Sequence, residues 1–291
     1  RAAKKDLKNL AAGKVDEIAT FELSVRRLPQ NRNFLVTAGL RQVIDYLQGL
    51  QFQRDEIDYL RTLSQLSQTP PAFFDFLQNL RFSGDLFALP EGTPVFPGEP
   101  ILIVRAPLIE AQLVETYLLS TIAFQTSIAS KAARCVAAAR GRGVVEFGSR
   151  RAHSAAAGPL AARAAYIGGC SGTSNTQAGM QYSIPVFGTA AHSWTMSFDD
   201  EETAFRELQK LLGPSTVYLL DTYDTLEAAR TAVRIGRPLW GVRLDSGDLA
   251  EQSHAVRRIL DEAGMTEVKI MATNDLNESK LETLITSGAP I

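Results

Sequence analysis

Leu239-Trp-Gly-Val-Arg-Leu244 runs straight into Asp245-Ser-Gly-Asp248, and a helical pattern follows over 249–263. An apolar run of strand length, a charged turn and then an amphipathic helix make one half of a strand–helix repeat. The same grammar recurs on both sides. Val144-Val-Glu-Phe147 leads into Gly148-Ser-Arg-Arg-Ala-His153, and Ile184-Pro-Val-Phe187 into Gly188-Thr-Ala-Ala-His192-Ser-Trp194. Thr216-Val-Tyr-Leu-Leu220 leads into Asp221-Thr-Tyr-Asp224, and Val268-Lys-Ile-Met-Ala272 into Thr273-Asn-Asp275. Helices are predicted over 201–212, 226–235 and 278–287 as well. Alternating strands and helices imply right-handed crossovers and a parallel sheet. If the sheet closes into a barrel, all the strand C-termini share one rim, where the loops build a site.

Residues 1–140 read differently, as an N-terminal α/β (α+β) domain. A Lys-rich helical opening precedes an alternating strand at 18–26, then helices at 40–47, 55–63 (with Asp55 as its cap) and 73–80. Pro70-Pro71 marks a break. Gly and Pro punctuate a β region over 82–104. An Ala-rich helix over 108–139 carries few charges and should be buried on several faces. The domain boundary falls at 140, with 141–291 as the second domain.

Composition excludes several classes. The chain has 291 residues, 45% hydrophobic and 21% charged, as in a soluble globular protein. Its net charge of −2 gives no electrostatic footprint for nucleic acid or an anionic membrane. The two cysteines, Cys135 and Cys170, form no CxxC pair, which argues against a Cys-based zinc site and fits a reducing compartment. No apolar run approaches the ~20 residues of a membrane span, and the charged start lacks a signal-peptide core. The expected location is cytoplasmic.

The strand-end residues suit an anionic substrate. Arg150, Arg151 and Arg243 offer guanidinium forks for phosphate or carboxylate. Gly168-Gly169 and Ser171–Ser174 offer backbone N–H groups and hydroxyls. Asp221, Asp224, Asp245 and Asp248 suit sugar hydroxyls or a magnesium ion, although Asp, Ser, Thr and Asn at such points also cap helices. His192 follows a strand beside Thr189 and is the leading acid–base or nucleophile candidate. His153, in the arginine loop, is its rival; His254 falls on a helix surface.

These words resemble the nicotinate phosphoribosyltransferase family. The resemblance rests on Phe147-Gly-Ser-Arg-Arg-Ala-His153, Tyr166-Ile-Gly-Gly-Cys-Ser-Gly-Thr-Ser-Asn175, Gly188-Thr-Ala-Ala-His-Ser-Trp194 and Val242-Arg-Leu-Asp-Ser-Gly-Asp248. Phe82-Ser-Gly-Asp, Pro90-Glu-Gly-Thr, Glu110-Ala-Gln and Phe124-Gln-Thr extend it from about Ile18 to Ile291. It implies a type II phosphoribosyltransferase: an N-terminal α/β domain and an irregular TIM-like (β/α) barrel. The implied reaction joins nicotinate to phosphoribosyl pyrophosphate, giving nicotinate mononucleotide and pyrophosphate in NAD salvage. ATP is the implied co-substrate, through transient phosphorylation of the histidine at His192, and Mg2+ the implied cofactor. By the same resemblance Phe147 and Arg150 face the pyridine ring, Thr189 and Arg243 contact its carboxylate or a nearby phosphate, and Asp245 holds ribose hydroxyls. Asp221, Asp248 and Asn274 join the substrate-binding set.

Ser174 separates acid from amide. In related nicotinamide-using enzymes a carboxylate at the matching place accepts the amide N–H; a serine donates to a carboxylate instead. The alternatives are nicotinamide phosphoribosyltransferase and a non-catalytic nicotinate or phosphosugar-binding protein. A different phosphosugar barrel enzyme would need a strand-end base, for which Glu146 is the candidate. The resemblance also implies a homodimer with sites completed across the interface. It leads to the expectation of a partial chain. Asp6-Leu7 is followed by Lys8 where the family carries a ring-packing tyrosine, and a Gly-Thr phosphate loop and a last barrel strand are expected beyond Ile291.

Overall fold

The computed structural model describes residues 13–291; the Lys-rich opening and Asp6-Leu7-Lys8 lie outside the described residues. The chain divides into two compact units. One holds the described residues through Ala133 together with Arg151–Gly169, the other Arg134–Arg150 and Cys170–Ile291.

The first unit is built on an antiparallel sheet. Its strands are β1 (Ile18–Ser24), β2 (Leu35–Val36), β3 (Asp85–Ala88), β4 (Pro94–Val95) and β5 (Pro100–Pro107). The sheet order is β1-β5-β3, and β2 pairs with β4. Helices Leu40–Gln48, Arg54–Thr62, Pro71–Asn79 and Leu108–Ala138 accompany it. Val43, Ile57, Phe73, Leu77, Val95, Val104 and Ile109 form its core. The cap of Arg54–Thr62 is Gln53, not the expected Asp55, because Glu56 reaches back to the Gln53 N–H in a capping box. The Pro70-Pro71 break is a helix start, with Pro71 in the first turn where no N–H partner is needed.

Several of the quoted words turn out to be ties within this unit. Glu110, though buried, accepts from the Ser83 N–H (2.7 Å) and hydroxyl (2.9 Å). A Cβ on Gly84 would lie 2.3 Å from the Ala106 Cβ, so only glycine fits there. Glu91 accepts from the Gly39 N–H (2.7 Å) and takes both prongs of Arg163 (2.9 and 2.7 Å). Thr126 accepts from the Ala38 N–H, and Gln125 donates to Gln42. Arg163 sits on the helix Ala157–Ile167, which carries no periodic signal strong enough to announce it.

The second unit is strand–helix in alternation. Its strands are β6 (Val145–Glu146), β7 (Gly172–Thr173), β8 (Val217–Leu219), β9 (Gly241–Leu244) and β10 (Lys269–Ala272). β6 and β7 are parallel, and Val186 bridges in parallel to Thr173 on β7. β10, β9 and β8 form a second parallel sheet. Helices Thr176–Tyr182, His192–Thr195, Glu201–Leu212, Thr225–Ile235, Leu249–Glu262 and Glu278–Thr286 fill the crossovers. Tyr218, Val242, Leu244, Val256, Leu260 and Ile270 are buried, and Phe205 stacks on Tyr218 at 4.3 Å. The strands neighbour one another in chain order, as α/β repeats do. They form two open groups, and among the described residues no closed barrel is present. Of the expected architecture, the α/β fold of parallel strand–helix repeats is what the described residues show.

Candidate functional site

The parallel register of β8, β9 and β10 aligns Leu219, Arg243 and Met271 side by side, so the residues just beyond them meet at one edge. Arg243 is the hub. Its Nε donates to Thr273 Oγ1 (2.9 Å), Nη1 to Thr189 Oγ1 (2.8 Å) and the Ala190 carbonyl (3.5 Å), and Nη2 to Asp245 Oδ1 (2.8 Å). A guanidinium has five N–H donors, and these contacts engage four of them. Thr273 Oγ1 also lies against Asp245 Oδ1. Burial raises the Asp245 pKa, but the hydrogen bonds from Thr273 and Arg243 and the nearby positive charge outweigh it and hold this carboxyl below the usual range.

His192 opens its own short helix at the same edge. Its Nε2 lies 3.3 Å from Asp221 Oδ1; the Asp221 side chain is 3% exposed, that of His192 41%. Ser246 donates to the other Asp221 oxygen at 2.5 Å. The buried carboxylate therefore fixes the ring and leaves Nδ1 as the uncommitted nitrogen. Trp194 anchors the helix through Nε1 to the Ala204 carbonyl (3.1 Å).

A second group forms at the ends of β6 and β7. Phe147 is half-buried and Arg150 exposed. The Ser174 N–H donates to the Glu146 carbonyl (2.9 Å), which continues the β6–β7 pairing by one residue and sets Ser174 beside the start of the Phe147–Arg150 turn. Asn175 Nδ2 donates to Ser149 Oγ (3.0 Å).

Other expected roles fall elsewhere. Asp224 and Asp248 each accept from two backbone N–H groups and cap the helices Thr225–Ile235 and Leu249–Glu262. Gly168 and Gly169 spend their N–H groups on the Ala164 and Tyr166 carbonyls, closing a helix C-terminus instead of cradling an anion. Asn274 lies beyond Thr273 with φ 94°, a left-handed conformation asparagine tolerates, and is exposed. His153 belongs to the first unit, where it shares a concave patch with Gln42, Tyr117 and Phe124. His254 is exposed on its helix. Among the described residues no three His, Cys, Asp or Glu side chains converge as a metal cage; Asp221 and Asp245 are already committed to His192, Ser246, Arg243 and Thr273. Two residues outside the expected substrate-binding set matter: Thr273, which directly follows β10, and Glu146, expected only as a strand-end base, which tethers the β6–β7 ends.

Two family models match. One, described as the nicotinate phosphoribosyltransferase N-terminal domain, covers residues 9–123; the other, the nicotinate phosphoribosyltransferase family, covers 143–285. A nicotinate phosphoribosyltransferase of Mycobacterium tuberculosis is 45% identical over 96% of this chain and 61% of its own length. That of Bacillus subtilis is 43% identical over 94% of this chain and 56% of its own. The crystal structure of human nicotinic acid phosphoribosyltransferase superposes with a TM-score of 0.90 at 29% identity, covering 100% of this chain and 70% of that one. A nicotinate-nucleotide pyrophosphorylase from Pyrococcus furiosus gives 0.81 at 26%, covering 98% and 67%. The chain thus spans about three fifths of the length of the curated relatives it matches. With both of its halves matched and the strand-end words in place, the chain belongs to the nicotinate phosphoribosyltransferase family.

Proposed function

We propose that the protein carrying this chain joins nicotinate to phosphoribosyl pyrophosphate, releasing nicotinate mononucleotide and pyrophosphate, and couples this to ATP hydrolysis as a homodimer in NAD salvage. The Arg243 hub, with Thr189, Asp245 and Thr273 at one parallel strand edge, carries the reading. It offers an N–H to an anion next to a carboxylate suited to ribose hydroxyls.

Attack of the pyridine nitrogen on the ribose C1 breaks the bond to pyrophosphate. The nitrogen already holds its lone pair, so no general base is required. The task of the site is to orient the ring and stabilise the departing charge. In this reading Phe147 and Arg150 face the ring, Ser174 donates to the carboxylate of nicotinate, and Arg243 and Thr189 serve the carboxylate or a nearby phosphate. Asp245 and Asn274 serve the sugar-phosphate, whereas Asp221 holds His192 and Ser246 and Asp248 caps its helix. His192, held through Nε2 by Asp221, presents Nδ1 to the terminal phosphorus of ATP: an N–P bond forms, ADP leaves, and Asp221 balances the positive ring. The described residues do not fit a protein-held magnesium cage. The expected Mg2+ then belongs with the phosphates of the substrates. For the intact protein we expect the parallel repeats to close into an irregular TIM-like barrel.

The test is pyrophosphate release from the intact protein with nicotinate, phosphoribosyl pyrophosphate, ATP and magnesium. Stoichiometric nicotinate mononucleotide supports the reading; binding of nicotinate without pyrophosphate release overturns it in favour of a binding protein.

A further inference from the structure

The Glu146 carboxylate is held between two parts of the chain that are distant in sequence. One oxygen accepts from the Gly148 N–H, inside the turn that follows β6. The other accepts from the Thr173 hydroxyl at 2.6 Å, on β7. Thr173 is fully buried, and its Oγ1 also accepts from the Asn175 N–H at 2.9 Å. Asn175 closes the circuit by donating from Nδ2 to Ser149 Oγ at 3.0 Å, while its Oδ1 caps the next helix on the Ala178 N–H. A Cβ on Gly148 would stand 2.9 Å from the same Glu146 oxygen, so the turn is seated closely on the carboxylate. Phe147 and Ser174 each lie between two links of this circuit.

We propose that Glu146 is a positioning residue that sets the spacing between the Phe147–Arg150 turn and Ser174, and so the fit of the pyridine carboxylate ring. The inference rests on the functional reading above. A carboxylate is the side chain with two acceptor oxygens able to take an N–H and an O–H at once. Its partners are a backbone amide and a buried hydroxyl. Removing it leaves both without an acceptor, and the two loops lose their common reference. A misplacement of about 1 Å at a reacting group costs about a hundredfold in rate.

The experiment uses the intact protein with Glu146→Ala, Thr173→Val and Thr173→Ser. In Glu146→Ala and Thr173→Val, kcat/KM for nicotinate should fall about ten- to a hundredfold. KM for phosphoribosyl pyrophosphate should stay unchanged, and Thr173→Ser should recover the loss. Amide hydrogen exchange should rise in Glu146→Ala over both 147–151 and 173–176, with peptides over β8, β9 and β10 unaltered. Equal losses toward both substrates, or faster exchange in one of the two segments alone, would overturn the proposal. Should Glu146→Ala fail to fold, the Thr173 pair still decides it. A wild type without pyrophosphate release overturns the functional reading alone, because the exchange pattern tests the tether without turnover.

Discussion

At the scale of single residues the site divides into groups that hold and groups that are held. Asp221 is nearly inaccessible and holds His192, so the histidine is the member with a ring nitrogen to offer. His192→Ala should abolish ATP-dependent, acid-labile phosphorylation; label that persists in this variant moves the role to His153. Ser174→Asp puts a negative charge where a carboxylate of nicotinate would sit, and should shift the ratio of kcat/KM from nicotinate toward nicotinamide. An unchanged ratio in paired assays counts against Ser174 as the discriminator. Glu201 behaves differently. Burial, helped by the charge of Asp224, pushes its pKa up to about 7, and its Oε1 is buried without a partner. The folded state thus binds a proton that the unfolded chain has already released above about 4.5. The stability associated with this group is full below that value and lost as pH rises through about 7. Glu201→Gln mimics the protonated form, so its melting temperature should exceed that of the wild type at pH 8 and match it at pH 5.

At the scale of elements, close approach decides what each strand can be. Gly172 on β7 faces the segment around Val186: an added Cβ would stand 2.3 Å from the Pro185 carbonyl oxygen and 2.6 Å from the Phe187 ring. Gly172→Ala should therefore separate this segment from β7, at a cost of about 1–3 kcal/mol, visible as a lower denaturation midpoint. It should also move Thr189, which follows that segment, and weaken activity beyond the loss of stability. The strand ends were legible because the apolar runs 216–220, 239–244 and 268–272 stop at charged or hydroxylated residues, and β8, β9 and β10 end within one residue of those points. Helices 201–212 and 249–263 were legible for the same kind of reason, through apolar periodicity and an aspartate before each. What escaped was pairing. Asp248 reads equally as ligand or cap, and only the backbone N–H groups of Ala250 and Glu251 show it capping. Glu146 looked like an isolated strand-end acid, since its partner Thr173 lies 27 residues away. The helix Ala157–Ile167 escaped because six of its eleven residues are alanine or glycine, too small to mark an apolar face.

At the scale of the whole molecule, two matched halves account for a family but for only about three fifths of a relative's length. The intact protein should sediment at twice its chain mass if sites are shared between subunits. A monomer with full activity at assay concentration would refute the sharing. The division of the chain carries one more consequence. Residues 151–169 fold with the first unit, where Arg163 meets Glu91 and Ala164 packs with Val36, Ala38 and Ala129. The polypeptide therefore leaves the first unit after Ala133, returns at Arg151 and leaves again at Cys170. A growing chain cannot finish the first unit until Gly169 has been made, and the opening strand of the second is made before that. No single cut yields both units whole, so a gene encoding either half alone would deliver an unfinished product.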